Sequence, residues 1–201
     1  MSVPTVLVHG YLCPKQFMLP LKWRLARKGF DPHLVDLSPL CIQDVRTLAG
    51  QLRENVDRVR QRTGAERVVL VGVSQGALIA LQYLHHEGGA EAVSHFVAVG
   101  APLRGTWFAL VGLPLLGGVS RGIWQTLPGS SIVDDLQRRG VPKGVQTTVV
   151  SMVGDVVAPP SRCRLAGAEE SVLPASFVPA AHQWLIMSRR AADAVDAAVN
   201  G

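Results

Sequence analysis

Cysteine is scarce in this 201-residue chain, which has only Cys13, Cys41 and Cys163. Their number is odd, their spacings are wide, and no two form a Cys-x-x-Cys pair. A disulfide framework and a structural zinc site are therefore not indicated. We expect three reduced thiols, as in a cytosolic protein, although the sequence alone leaves a single disulfide open.

Long hydrophobic runs are also missing. The longest apolar stretch, from Trp107 to Val119, is too short to span a bilayer and is interrupted by Gly112 and Pro114. The N-terminus leads into the apolar residues 5–8 without the basic region and cleavage site of a signal peptide. We therefore expect a cytoplasmic protein with neither a signal peptide nor a transmembrane segment.

Aromatic residues make up only 5% of the chain, and it has no basic aromatic platform of the kind that binds nucleic acid. The formal net charge of +5 comes mostly from scattered arginines. Short basic clusters fall on predicted helix surfaces at 58–62, 138–139 and 189–190, which is typical of solvated faces. We expect no nucleic-acid partner, but this charge also allows weak attraction to an anionic membrane surface.

What the sequence does contain is a regular alternation of apolar strands and amphipathic helices. Such alternation predicts an α/β fold with a doubly wound, mostly parallel sheet of about six strands. The length favours one domain over residues 1–201. The predicted strands are 5–8, 30–37, 67–73, 93–99, 146–153 and 170–173, and the main helices are 17–28, 43–62, 75–86, 132–139 and 182–199.

The stretch from Leu103 to Gly129 is predicted to be irregular and to form a short apolar cap or flap. Its most apolar part, 107–116, has two interpretations. It is either a flap over an acyl pocket with glycine hinges, or an insert that packs on the core. A flap would expose apolar surface and favour acyl substrates.

The motif Gly72-Val73-Ser74-Gln75-Gly76 joins the third strand to the following helix. Strand, tight turn and helix are the context in which a Gly-x-Ser-x-Gly serine acts as a nucleophile. The serine adopts positive φ at the apex, and the flanking glycines leave room for strand and helix to approach. The helix N-terminus also directs free N–H groups at the serine.

A serine nucleophile needs a base, and the base needs an acceptor that fixes its tautomer. His182 opens the last predicted helix and is placed to reach over the strand ends, so we predict that it is the base. The other histidines have different expected positions: His33 and His95 lie inside strands, His85 and His86 end the helix after Ser74, and His9 ends the first strand beside Gly10.

Asp155 is the predicted acid because it follows the fifth strand through a glycine. Asp36, at the end of the second strand, is its main rival. Asp134 and Asp135 lie on a short amphipathic helix and are expected to be solvated. Since ligands bind beyond the carboxyl ends of parallel strands, Ser74 and Asp155 are expected at one edge of the sheet.

The chain resembles the α/β-hydrolase superfamily, in its compact bacterial lipase/esterase type, over nearly its whole length. The resemblance is carried by the order Ser74, Asp155, His182 and by segments 6–11, 72–76, 100–106 and 154–157. It implies that the backbone N–H groups of Tyr11 and Gln75 form an oxyanion hole and that His9 is structural. Two features depart from the family pattern: Leu103 stands where lipases often have histidine, and the cap region is short.

These features predict a serine hydrolase that cleaves carboxyl esters through an acyl-enzyme on Ser74. The expected partner is a small-molecule ester or acyl substrate, with no cofactor and no metal. Two alternatives stay open at this point. One is an acyltransferase or thioesterase with the same triad, and the other is a non-catalytic lipid- or protein-binding homologue.

Overall fold

A computed structural model of the protein describes residues 2–175 and 181–201. The strands are β1 (Val3–Val8), β2 (Phe30–Leu34), β3 (Val68–Val73), β4 (Val93–Val99), β5 (Gln146–Met152) and β6 (Glu169–Leu173). The helices are α1 (Leu19–Ala26), α2 (Val45–Thr63), α3 (Gln75–His86), α4 (Gly89–Ala92), α5 (Ala109–Leu116), α6 (Arg121–Gln125), α7 (Ser131–Arg139), α8 (Pro160–Cys163), α9 (Ala181–Met187) and α10 (Arg189–Asn200). Short 3-10 turns occupy Lys15–Met18 and Pro39–Cys41.

The six strands form one sheet in the order β2-β1-β3-β4-β5-β6, and each pairing in the described chain is parallel. This confirms the predicted α/β fold. β2 pairs with one side of β1 and β3 with the other, so the direction in which strands are added reverses after β2. Such a reversal leaves a crevice beyond the carboxyl ends of β1 and β3, where open α/β sheets bind ligands.

Helices cover both faces of the sheet, and β3 shows how its residues are divided between them. Val68 and Leu70 belong to a buried cluster with the apolar residues of α2, α3 and α7. Val69, Val71 and Val73 belong to a second cluster with residues of α1, α9 and α10. A strand that is buried on both faces has a continuous apolar sequence, which is why this segment was recognisable as a strand.

The sequence pattern predicted one continuous helix over 182–199. The structure instead divides this segment into α9 and α10 at Ser188. The Ser188 hydroxyl accepts a hydrogen bond from the backbone N–H of Ala191 at 3.1 Å and so caps α10. The apolar periodicity continues across the break, since Leu185 and Ala192 are both buried. Periodicity alone therefore does not reveal that a new helix begins.

The region from Leu103 to Gly129 is more regular than predicted, because it contains α5 and α6. Its glycines and Pro114 are residues that normally interrupt helices, so they concealed α5 in the sequence. Ser120 caps α6 by accepting from the N–H of Ile123 at 3.3 Å, and its own hydroxyl donates to the carbonyl of Ile42 at 2.8 Å.

Two further findings concern the membrane and the thiols. Within 2–175 and 181–201, every helix is either too short or too polar to cross a bilayer. Cys13, Cys41 and Cys163 are free thiols, as expected. Burial raises the pKa of Cys41 and of Cys163 to about 12, so both thiols are protonated at neutral pH.

Candidate active site

Ser74 lies between the last residue of β3 and the first of α3, with a φ of 53°. Positive φ is strained for a side chain other than glycine, and here the surrounding backbone holds it. The Ser74 N–H donates to the carbonyl of Val99 at 2.9 Å. A Cβ added at Gly72 would lie 2.6 Å from the Ala77 Cα, and one at Gly76 would lie 2.6 Å from the His9 carbonyl oxygen. Gly72 therefore allows β3 and α3 to approach closely, and Gly76 allows α3 to approach the end of β1.

His182 lies in the first turn of α9, and its Nε2 is 3.0 Å from the Ser74 hydroxyl oxygen. Its side chain is buried. Gly100, at the end of β4, lies beneath the ring: a Cβ there would be 3.5 Å from the imidazole Cε1 and 3.0 Å from a methyl of Leu185. The predicted loop before His182, at 179–181, lies outside the described residues except for Ala181.

Asp155 is buried and uses both carboxylate oxygens. Its Oδ2 is 2.7 Å from His182 Nδ1, while Oδ1 accepts from the backbone N–H groups of Val157 and Ala158, each at 2.9 Å. The carboxylate therefore caps the turn after β5 and also contacts the His182 ring. The structure brings Ser74, His182 and Asp155 into one hydrogen-bonded chain.

The rival acid and the other strand and helix histidines have partners elsewhere. Asp36 is exposed and pairs with Lys15 at 2.8 Å, which lowers the pKa of its carboxyl through that hydrogen bond. The remaining contacts are His33 with Asp31 at 2.8 Å, His85 with the carbonyl of Gly140 at 3.0 Å, His86 with Asp135 at 2.8 Å, and His95 with the Ser94 hydroxyl at 3.1 Å.

Tyr11 and Gln75 line the same cavity as Ser74. Because Gln75 is the first residue of α3, its N–H has no acceptor inside the helix. Gly10 lies so close that an added Cβ would be 3.4 Å from the Ser74 hydroxyl oxygen. The Gln75 side chain is buried and donates to the Gly122 carbonyl at 3.3 Å, which links the nucleophile turn to α6. No local sequence pattern indicated this link.

His9 is buried behind this loop, and its Nδ1 lies 3.3 Å from the Gly10 carbonyl oxygen. Its other close neighbour is the Cys41 sulfur, 3.4 Å from Nδ1. Burial lowers the pKa of His9, so the ring is neutral at pH 7. The position fits the loop-supporting role that the resemblance implies, while the contact with Cys41 was not predictable from the sequence.

A cavity of about 590 Å³ opens beside the Ser74 hydroxyl. Its walls are largely apolar, and α5 provides one of them through Val111, Leu115 and Leu116. In α5 the side chains of Leu110, Val111 and Leu115 are exposed, and Ala109 is buried. The segment therefore does not pack as a core insert. Phe17 and Met187 also line the cavity. Both lie in segments predicted to be helical, and no sequence pattern marked either of them as a cavity residue.

Comparisons with known proteins agree with this architecture. A family model for the alpha/beta hydrolase fold matches residues 6–115, which is more than half of the chain. A search among curated proteins found no match.

Several solved structures share the fold. A mature lipase of Bacillus licheniformis is 16% identical with a TM-score of 0.80, and the match covers 98% of this chain and 91% of that one. An esterase of Exiguobacterium antarcticum is 20% identical with a TM-score of 0.69, covering 100% and 92%. Lipase B of Aspergillus fumigatus is 17% identical with a TM-score of 0.76, covering 98% of this chain but 52% of the fungal one. With more than half of its length matched by the family model, the chain belongs to the α/β-hydrolase family, and its fold is that of the compact lipase/esterase type.

Proposed function

We propose that the protein is a serine hydrolase that cleaves carboxyl esters through an acyl-enzyme on Ser74. The observation that carries this proposal is the 3.0 Å contact between the Ser74 hydroxyl oxygen and His182 Nε2. A serine hydroxyl becomes a useful nucleophile when a neutral imidazole accepts its proton during attack. The buried carboxylate of Asp155 lies where it orients that imidazole.

In the first half of the reaction, the Ser74 oxygen attacks the ester carbonyl while His182 Nε2 takes the hydroxyl proton. The negative charge that forms on the former carbonyl oxygen is stabilised by the N–H groups of Tyr11 and Gln75. Asp155 accepts from His182 Nδ1 and stabilises the imidazolium. When the tetrahedral intermediate collapses, the ester C–O bond breaks, and the imidazolium gives its proton to the departing alkoxide.

In the second half, water takes the place of the alcohol. His182 Nε2 removes a proton from water, whose oxygen attacks the acyl carbon, and the Ser74 oxygen leaves with that proton restored. The products are a carboxylic acid and the free enzyme. The proton transfers are supported by the contacts of His182 with Ser74 and with Asp155.

The cavity supports an ester with an apolar acyl group. Its volume of about 590 Å³ lies within the range of about 300–1,000 Å³ that is usual for small-molecule sites. Its apolar lining favours hydrocarbon over charged groups, because burying an unpaired charge there would be costly.

The direct test is turnover of short-chain aryl esters by the wild type and by Ser74→Ala. Loss of the nucleophile is expected to lower kcat by a factor on the order of 10⁶. A fluorophosphonate probe should label the wild type at Ser74 and leave the variant unlabelled. Equal turnover by both proteins would remove Ser74 from the mechanism.

The same assay separates hydrolysis from acyl transfer. Added short-chain alcohol competes with water for the acyl-enzyme, so an acyltransferase gives mainly the new ester even when alcohol is dilute. We propose hydrolysis as the main outcome, measured as free acid. A non-catalytic binder would react with neither ester nor probe.

A further inference from the structure

The outer surface of residues 107–124, which hold α5 and most of α6, is unusually apolar. Leu115 is 85% exposed, Val119 is 72% exposed and Val111 is 69% exposed. Exposed large apolar residues that occur singly need no explanation, but a contiguous group of them marks an interaction surface.

This apolar surface is continuous with the mouth of the Ser74 cavity. Six large apolar residues both line the cavity and are strongly exposed: Leu12, Phe17, Phe108, Val111, Leu115 and Met187. A partner that covers the surface would therefore also cover the entrance to the cavity.

The tryptophans add an independent signal. Two of the four, Trp107 and Trp124, lie within residues 107–124 and are 57% and 52% exposed. Trp124 directs its ring N–H to the Gly117 carbonyl at 2.9 Å, which leaves the rest of its ring available to an outside surface. Tryptophan has an apolar ring and a polar N–H. It is favoured at a membrane–water interface, where the ring contacts lipid and the N–H bonds to protein or water.

The charges around this surface are positive. Residues 92–133 contain no aspartate or glutamate, and the same is true of 156–168. Arg104 and Arg121 are exposed, and the Arg162 guanidinium lies 5.7 Å from the centre of the Trp107 ring.

The carboxylates of the loop after β2, on the same edge of the sheet, are already engaged. Asp36 is paired with Lys15, and Asp44 accepts from the N–H of Arg46 at the start of α2. Within the described residues, neither carboxylate forms an ion pair with Arg104, Arg121 or Arg162.

We propose that the face formed by residues 107–124 and the cavity mouth docks on an anionic lipid bilayer. The exposed apolar side chains enter the interfacial region, and Arg104, Arg121 and Arg162 contact lipid phosphates. A second copy of the chain is a poor occupant, because self-association would bring two positive faces together. Docking does not need the Ser74 hydroxyl. The consequence that an ester-bearing lipid reaches the cavity without crossing water does rest on the proposed function.

The test uses Ser74→Ala protein, so that binding is measured without lipid turnover and independently of the proposed reaction. Vesicles of phosphatidylcholine alone are compared with vesicles in which a third of the lipid is phosphatidylglycerol. We expect at least about tenfold tighter binding to the anionic vesicles in a sedimentation assay, and weaker binding as salt is raised.

Two pairs of charge reversals separate local docking from attraction by total charge. Arg104→Glu with Arg121→Glu changes the proposed face, and Arg58→Glu with Arg62→Glu makes the same change in net charge on α2. The first pair should weaken binding to anionic vesicles about tenfold or more, and the second pair should weaken it much less. Trp107→Ser with Val119→Ser, neither of which lines the cavity, should also weaken binding.

Three results would overturn the proposal. One is equal binding to both vesicle types or binding to neither. Another is equal loss of binding in the two arginine pairs, since that would mean that no face is preferred. The third is a stable dimer in analytical ultracentrifugation that Trp107→Ser with Val119→Ser abolishes, since the covering partner would then be a second copy. Circular dichroism and thermal unfolding verify that each variant is folded.

Discussion

Asp155 illustrates how much a single side chain determines when both of its carboxylate oxygens are used. One oxygen accepts hydrogen bonds from two backbone N–H groups in the turn after β5, and the other accepts a hydrogen bond from His182 Nδ1. The turn thereby fixes the carboxylate, and the carboxylate fixes the proton of the imidazole on Nδ1. The free lone pair on Nε2 is then directed at the Ser74 hydroxyl.

We predict that Asp155→Asn leaves the fold intact and lowers kcat by a factor on the order of 10⁴. The asparagine carbonyl would keep the two backbone hydrogen bonds, so its NH₂ group would face His182. The ring would then carry its proton on Nε2, where it cannot accept one from Ser74. Aryl ester kinetics measure the effect.

The control for this prediction is Asp36→Asn, at the other acid that the sequence offered. Its side chain is exposed and paired with Lys15, so turnover should be unchanged. If Asp36→Asn and Asp155→Asn reduced turnover equally, the assignment of the acid would be wrong.

At the scale of helices and strands, the junction between α9 and α10 is linked to the site because α9 carries His182. Ser188 is buried, caps α10 through the Ala191 N–H, and donates to the Leu185 carbonyl at 2.9 Å. It thereby joins the helix that holds His182 to the helix that packs on the sheet. Ser130 plays a similar part for α7, accepting from Val133 and donating to Gln125, away from the histidine.

We expect Ser188→Ala to lower the free energy of unfolding by about 1–2 kcal/mol, which corresponds to a fall in Tm of about 2–8 °C for a chain of this size. It should also reduce kcat several-fold, because the position of His182 depends on the start of α10. Thermal unfolding and ester kinetics measure the two effects.

Ser130→Ala is the matched variant for this element. It removes a cap of the same type and should cost a similar free energy of unfolding without changing kcat. A loss of activity of equal size in both variants would show that kcat follows overall stability and not the α9–α10 junction.

The same elements show where a sequence does and does not predict structure. The bounds of α3 and β4 were predicted correctly, because the glycines at 88 and 100 that follow them are local stop signals. The break at Ser188 was not predicted, since burial on both sides keeps the helical period unchanged. The helix α5 was missed because its exposed apolar residues show no amphipathic pattern.

At the scale of the whole molecule, the parallel sheet and the expected edge for Ser74 and Asp155 followed from simple rules. Alternating strands and helices imply a parallel sheet, and a parallel sheet places strand ends together at one edge. Distances between side chains did not follow from these rules. The contacts of Gln75 with Gly122 and of His9 with Cys41 join residues that are distant in sequence, and no local pattern encodes them.

Acid should destabilise the whole fold through His9, which is buried, and His85, which is half-buried. Burial lowers the pKa of His9 and of His85 below the usual value of 6.5, as the largest cause in each case. Below pH 6.5 the unfolded chain therefore binds more protons than the folded chain, so the free energy of unfolding falls as pH falls. Above that pH both states hold the rings neutral, and the full stability is present.

We predict a loss of stability between pH 7.5 and 5.5, a window above the range in which the paired carboxylates titrate. Urea unfolding at pH 7.5, 6.5 and 5.5 measures it. His9→Gln keeps a donor for the Gly10 carbonyl but cannot take up a proton, so its stability should fall less across this window. Adding His85→Gln should flatten the dependence further. If His9→Gln showed the same fall as the wild type, the acid sensitivity would have to come from groups other than the ring behind the Tyr11 loop.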